Sequence, residues 1–235
     1  MRAKLFFFLR RIKRLIFSNK RHHISSIRLD NVSFPISSVF GCDRGTPIDR
    51  YYIGKFLSEN KSKIHGVCCE IAENAYCKGL GHDIIKQEVF DYDKANSQAT
   101  IIGDLTKHST LPQNHLDCFV CTQTFNFIYD VKSAFIGAFQ MLKPGGVLLA
   151  TVSGLSQISR YDMDRWGDYW RFTDLSLKKM TEESGFRDVQ VKIYGNALAA
   201  TAFIQGIAVE DLKNTDLLNE LDKDYQVTLG LIAVK

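Results

Sequence analysis

The chain has 235 residues, 45% of them hydrophobic and 24% charged, with 16 Gly and only 4 Pro. That length and balance fit one sizeable α/β domain or at most two small ones, and they exclude a disordered, collagen-like or mucin-like chain. The net charge of +4 is uneven: residues 1–28 hold nine Arg and Lys and no acid, leaving 21 basic against 26 acidic residues, a net of −5, in the rest. A nucleic-acid binder with a basic folded face is therefore not expected.

In chain order, the first element is a basic amphipathic helix. Leu5, Phe8, Leu9, Ile12, Leu15 and Ile16 share one face, with Arg10, Lys13 and Arg14 opposite. Such a helix lies on an anionic membrane surface through residues 1–20, or it packs on the body or on a second subunit; its moment does not separate the two. Residues 18–27, polar and rich in His and Ser, read as a linker, so the expected layout is a helix and linker over 1–28 and a folded domain over 40–235. No run reaches the roughly 18 apolar residues of a membrane span. The apolar stretch at Leu5 to Leu9 is too short for a secretory signal and is followed at once by Arg10 and Arg11. A cytoplasmic location, with peripheral attachment to the inner face of a membrane as an option, is the expectation.

From about residue 50, strands and helices alternate, the pattern of a parallel sheet covered on both faces. Helices are expected over 51–63, 131–142 and 175–184, with further helices reaching about residue 221. Strands are expected over 64–69, 84–89, 99–103, 116–122, 147–152, 189–194 and 225–234. The turn Lys143-Pro144-Gly145-Gly146 closes the helix before the fifth strand. This order describes a doubly wound sheet finishing with an antiparallel pair. Cys118 and Cys121 have metal-like spacing but lie inside an apolar strand, where residues three apart face opposite ways, and six cysteines without an export signal read as buried free thiols. No His, Cys and acid grouping resembles a metal site.

Ligands of open parallel sheets bind beyond the carboxyl ends of the strands, near the point where strand order reverses. Those ends present Glu70, Glu88, Asp104 and Gln123. An acid at the end of the second strand suits a ribose diol, whose two hydroxyl protons one carboxylate can accept.

The blocks Gly45-Thr46-Pro47-Ile48-Asp49-Arg50-Tyr51-Tyr52, Ala99-Thr100-Ile101-Ile102-Gly103-Asp104-Leu105-Thr106, Leu142-Lys143-Pro144-Gly145-Gly146-Val147-Leu148-Leu149-Ala150-Thr151 and Asp168-Tyr169-Trp170-Arg171-Phe172-Thr173, in this order and spacing, resemble a class I S-adenosylmethionine-dependent methyltransferase of the type 11 kind. The resemblance runs from about residue 40 to the end. It implies a Rossmann-like, doubly wound, seven-stranded sheet, mostly parallel with an antiparallel last strand, and S-adenosyl-L-methionine as cofactor. It also implies Glu70 as the acid opening the cofactor motif, Glu88 as the ribose binder, Asp104 and Leu105 as adenine contacts, and Gln123 beside the methionine portion. One position departs from the family: Ala72 stands where glycine is usual, and its Cβ is tolerated at negative φ but strained at positive φ. That departure motivates an alternative, a silent cofactor-binding or scaffold protein with the same fold.

The segment after the fifth strand is dense in Arg, Asp, Tyr and Trp, which suits a small polar or glycan-linked acceptor. Tyr161, Asp162, Arg165 and Trp166 are its expected contacts, and residues 169–173 read as a structural cap. If the acceptor is a hydroxyl, Asp162, Asp164 and His108 are unranked candidates for a base. Arg44 and residues 49–52 either close over the methionine end or form an ordinary helix start behind Pro47.

Overall fold

The computed structural model describes residues 33–235; the expected helix over residues 1–20 and linker over 18–27 lie outside them. The described residues form two compact units.

The larger unit comprises Ile53–Gly154, Ile158–Ile193 and Thr228–Lys235. Its sheet contains β1 (Gly66–Ile71), β2 (Ile84–Asp91), β3 (Ile101–Ile102), β4 (Leu116–Thr122), β5 (Leu142–Ser153), β6 (Arg187–Tyr194) and β7 (Thr228–Val234). The spatial order is β3-β2-β1-β4-β5-β7-β6. β1 to β5 pair in parallel, and β7 runs antiparallel to β5. This is the seven-stranded, Rossmann-like arrangement expected, and strand order reverses between β1 and β4. The helices, in chain order, are α1 (Ile48–Glu59), α2 (Ala75–Leu80), α3 (Val131–Met141), α4 (Arg160–Met163), α5 (Asp174–Glu183) and α6 (Ala197–Ile204), of which α6 and the start of α1 belong to the smaller unit.

β4 is buried at almost every position because it is central and covered on both faces, which is why it reads as a continuous apolar run. Phe119 joins Leu148, Phe135, Leu177 and Phe172 in one core. α3 begins where the Asp130 side chain accepts the Ser133 N–H at 3.1 Å, an N-cap interaction contributing about 1 kcal/mol. Gly137 lets this helix approach the chain leaving β3, since a Cβ there would lie 2.0 Å from the Leu105 carbonyl oxygen. Asp117 fastens the sheet's opposite edge: its Oδ2 accepts from Val67 N–H at 2.7 Å and Lys143 Nζ at 2.8 Å, joining the start of β1 to the start of β5, formed by Lys143-Pro144-Gly145-Gly146 rather than the expected turn before the strand.

The smaller unit contains the described residues up to Tyr52, Leu155–Gln157 and Tyr194–Val227. Arg44 makes a two-pronged pair with buried Asp211, at 2.7 and 2.9 Å. Glu210 accepts from Thr46 N–H and its hydroxyl at 2.7 and 2.8 Å. The buried Tyr52 hydroxyl donates to the Leu218 carbonyl, and its ring stacks on Tyr194. Arg44 and Tyr52 therefore help to hold this unit together. Among the described residues, no helix is long and apolar enough to cross a membrane.

Candidate active site

The carboxyl edge of the sheet collects Glu70, Asp104 and Gln123, while Glu88 lies further back in its strand. Glu70, near the end of β1, is buried. Its carboxylate accepts from the Tyr76 and Cys77 N–H groups, both at 3.0 Å, and so closes the loop onto the start of α2. Burial pushes this carboxyl up, and the two backbone donors oppose the rise.

Between them, Ala72 adopts φ +63°. The Glu73 N–H reaches the Ile71 carbonyl at 2.8 Å across it, a three-residue γ-turn, while the Ala72 N–H continues the sheet to the Phe90 carbonyl at 2.8 Å. The strand-one loop thus takes the left-handed conformation that a Cβ disfavours.

Glu88 requires a correction. β2 runs on to Asp91, so Glu88 sits within the strand, opposite Cys69, rather than at its end. The side chain is 3% exposed and lies 2.7 Å from Lys86 Nζ and 2.9 Å from His115 Nε2. Burial alone would push this carboxyl up, but hydrogen bonds from Lys86, Thr100 and His115 outweigh it and hold it at about 2. The acid at the carboxyl end of β2 is Asp91, three residues on and therefore on the opposite face. Sequence reasoning missed it, although Phe90-Asp91-Tyr92-Asp93 marks a strand exit. Asp91 accepts from the Asn96 amide at 2.6 Å, and the same Nδ2 reaches the Ala72 carbonyl at 2.9 Å. Asn96 therefore ties the strand-two acid to the strand-one loop.

Asp104 follows β3. Its Oδ1 accepts from the Thr106 N–H and hydroxyl at 2.9 and 2.7 Å, and Lys107 lies 3.4 Å away. The side chain of Leu105 is buried in the core.

Gln123, just beyond β4, has φ +48°. Its N–H donates to the Thr151 carbonyl at 2.7 Å, and its Oε1 accepts from the Ser153 hydroxyl at 2.7 Å. Its Nε2 is buried without a hydrogen-bond partner among the described residues. A buried amide donor left unpaired costs about 1–3 kcal/mol. Its place beside the strand-order reversal is where a polar ligand would satisfy it.

After β5, the chain forms a polar aromatic segment. The Asp162 carboxylate accepts from the Ser159 hydroxyl at 2.5 Å, and burial pushes its carboxyl up, with Asp168 adding to the rise. Asp168 accepts from the Ser159 N–H and pairs with Arg171. The Arg165 guanidinium lies 3.4 Å from the Tyr161 ring centroid, and Trp166 stands edge-on to that ring at 6.1 Å. Phe172 is core, and the Thr173 hydroxyl caps α5. Asp164 is largely exposed beside Arg160, and His108 Nε2 lies 2.9 Å from the Ser133 carbonyl. All six cysteines are free thiols, and among the described residues no group of three or more His, Cys, Asp or Glu is placed to hold a metal ion.

This topology, with its turn residues at the strand-order reversal, is that of the S-adenosylmethionine-dependent methyltransferases. A structure of such an enzyme from Archaeoglobus fulgidus superposes with a TM-score of 0.53 at 16% identity, covering 79% of this chain and 94% of that one. One from Mesorhizobium loti gives 0.52 at 17%, covering 80% and 98%. A Haemonchus contortus phosphoethanolamine N-methyltransferase 2 in complex with S-adenosyl-L-methionine gives 0.50 at 15%, covering 77% of this chain and 52% of that one. Residues 65–150, which span β1 to β5 up to Ala150, match the family described as a methyltransferase domain, type 11. No curated protein sequence matches the chain. The chain therefore shares the fold of these enzymes, and its residues 65–150 are similar to a methyltransferase domain.

Proposed function

We propose that this protein transfers a methyl group to a small polar or glycan-linked acceptor, with the cofactor held at the carboxyl ends of β1 to β4. The unpaired Gln123 amide, buried beside the strand-order reversal, carries this reading. Asp91 would receive the ribose hydroxyls, the backbone at Ala72 and Leu105 would face the adenosyl group, Asp104 would border the adenine, and Gln123 Nε2 would donate to the methionine portion.

Bound S-adenosyl-L-methionine supplies an electrophilic methyl group on a sulfonium. Positioning accounts for much of the rate of such an in-line displacement. For a hydroxyl acceptor, a carboxylate beside the transfer site would accept the hydroxyl proton. Among the three candidates, Asp162 fits that role best: its carboxyl is already raised by burial, whereas His108 is held against Ser133 and Asp164 is exposed beside Arg160. Tyr161, Arg165 and Trp166 would border the acceptor.

Calorimetric titration with S-adenosylhomocysteine tests the assignment. Asp91→Ala should weaken binding tenfold or more, and Glu88→Gln should leave the affinity within about twofold at neutral pH, since one lost charge-assisted hydrogen bond is worth about 1.5–3 kcal/mol. The reverse order of effects would return the ribose role to Glu88. We further propose that residues 1–20 hold the enzyme at the cytoplasmic face of an anionic membrane, on the basis of their basic amphipathic pattern. Equal sedimentation with anionic vesicles after removal of residues 1–28 would refute that attachment.

A further inference from the structure

Two aromatic clusters follow the strand ends, and their ring faces differ in what they meet. In the first, the Arg165 guanidinium already covers one face of Tyr161. The second consists of Tyr129, Tyr169 and Trp170. Tyr129 is 72% exposed and Tyr169 49% exposed. Their centroids lie 5.4 Å apart at 67°, and Trp170 lies 6.3 Å from Tyr129 at 27°.

The backbone that carries these exposed rings is fixed. The Trp170 indole N–H donates to the Ile128 and Tyr129 carbonyls at 3.0 and 3.2 Å. The Tyr169 and Trp170 N–H groups both donate to the carbonyl of buried Asn126, at 2.9 and 3.1 Å. The Asn126 side chain donates to the Trp170 carbonyl and accepts the Ser153 N–H, and the Ser153 hydroxyl donates to Gln123. The rings are thus tied, through Asn126 and Ser153, to the residue whose amide is unpaired. Behind Tyr169, Gly167 has φ +100°, and a Cβ there would lie 2.3 Å from the Tyr169 Cζ, so the ring lies against bare backbone.

Large exposed rings on a fixed backbone suit a ligand with an apolar face. Their polar surroundings select among such ligands. Two tyrosine hydroxyls and the Asp168–Arg171 pair lie in or next to the cluster, which suits a ring with C–H bonds on its face and hydroxyls on its rim. A phosphate-rich polymer is disfavoured by the net charge of −5 beyond residue 28.

We propose that Tyr129 and Tyr169 form the stacking face for a sugar ring of the acceptor. This rests on the methyl-transfer reading of the Gln123 site and names the acceptor class for it. The test places the full chain on a glycan array with S-adenosylhomocysteine present and measures the affinity for S-adenosylhomocysteine separately by calorimetry. The wild type should bind a subset of glycans. Tyr129→Ala and Tyr169→Ala should each weaken that binding about tenfold, Tyr129→Phe should keep most of it, and Tyr225→Ala, at an exposed tyrosine outside the cluster, should change nothing. Nucleotide affinity should be the same in all variants. Absence of glycan binding by the wild type, or glycan binding by the two alanine variants equal to wild type, would overturn the proposal. Glycan binding that depends on Tyr129, in a protein with no nucleotide affinity, would refute methyl transfer and leave the sugar platform standing.

Discussion

Replacing Ala72 with glycine isolates the cost of one side chain at the cofactor loop. Ala72 holds φ +63° in a γ-turn whose geometry is set from outside: its N–H is fixed to Phe90, and its carbonyl to Asn96. An L-residue in this region is strained by about 1–2 kcal/mol relative to glycine. Glycine's larger unfolded-state entropy returns about 0.5 kcal/mol of that. Ala72 is exposed, so its methyl group contributes little burial to offset the strain. Ala72→Gly should therefore stabilise the fold by about 1 kcal/mol, a rise in thermal midpoint of about 2–4 °C for a chain of this size. Scanning calorimetry measures the shift, and titration with S-adenosylhomocysteine should show an affinity within about twofold of wild type, because the bonds that set the loop are unchanged. An unchanged or lower midpoint would refute the strain argument. A rise in affinity beyond tenfold would show that the methyl group obstructs the nucleotide, and would favour the silent-scaffold alternative.

Asp162→Asn removes the proposed base while keeping its shape. It should lower kcat by about 10²–10⁴ with nucleotide affinity unchanged. In the wild type the acid limb of the rate profile should sit above the usual carboxylate range, because burial raises this carboxyl and only its ionised form accepts a proton; a profile flat through that range would exclude Asp162 as the base. Glu88 predicts the acid stability. Its carboxyl titrates at about 2 when folded and at an ordinary 4.5 when unfolded, so its contribution, on the order of 3 kcal/mol, is present above about pH 4.5 and is lost as pH falls towards 2. Thermal midpoints followed from pH 6 to 3 should fall less steeply in Glu88→Gln than in wild type, and parallel curves would contradict the assignment.

What the sequence showed and what it hid divide along one physical line. β4 has its predicted bounds because a central strand buried on both faces writes its apolar character into consecutive residues. The helix over 131–141 is equally plain, with a capping Asp130 in front, although Lys143-Pro144-Gly145-Gly146, expected as a turn, forms the start of β5. The short helices Ala75–Leu80 and Arg160–Met163 left no helical period to read. The first is secured by the Glu70 carboxylate, a contact from another element. The same cause misplaced the end of β2. The apolar run in β2 stops short of Asp91, but pairing with β1 continues to Phe90 opposite Ile71, and pairing with β3 carries it to Asp91 opposite Ile102. Strand ends in a parallel sheet are fixed by neighbours distant in sequence, and ligand sites lie at strand ends. Residues at strand ends are thus the ones whose positions depend most on tertiary pairing, so the places of Asp91 and Tyr129, proposed above as ligand contacts, became visible only when the strands and the Asn126 bonds were in place.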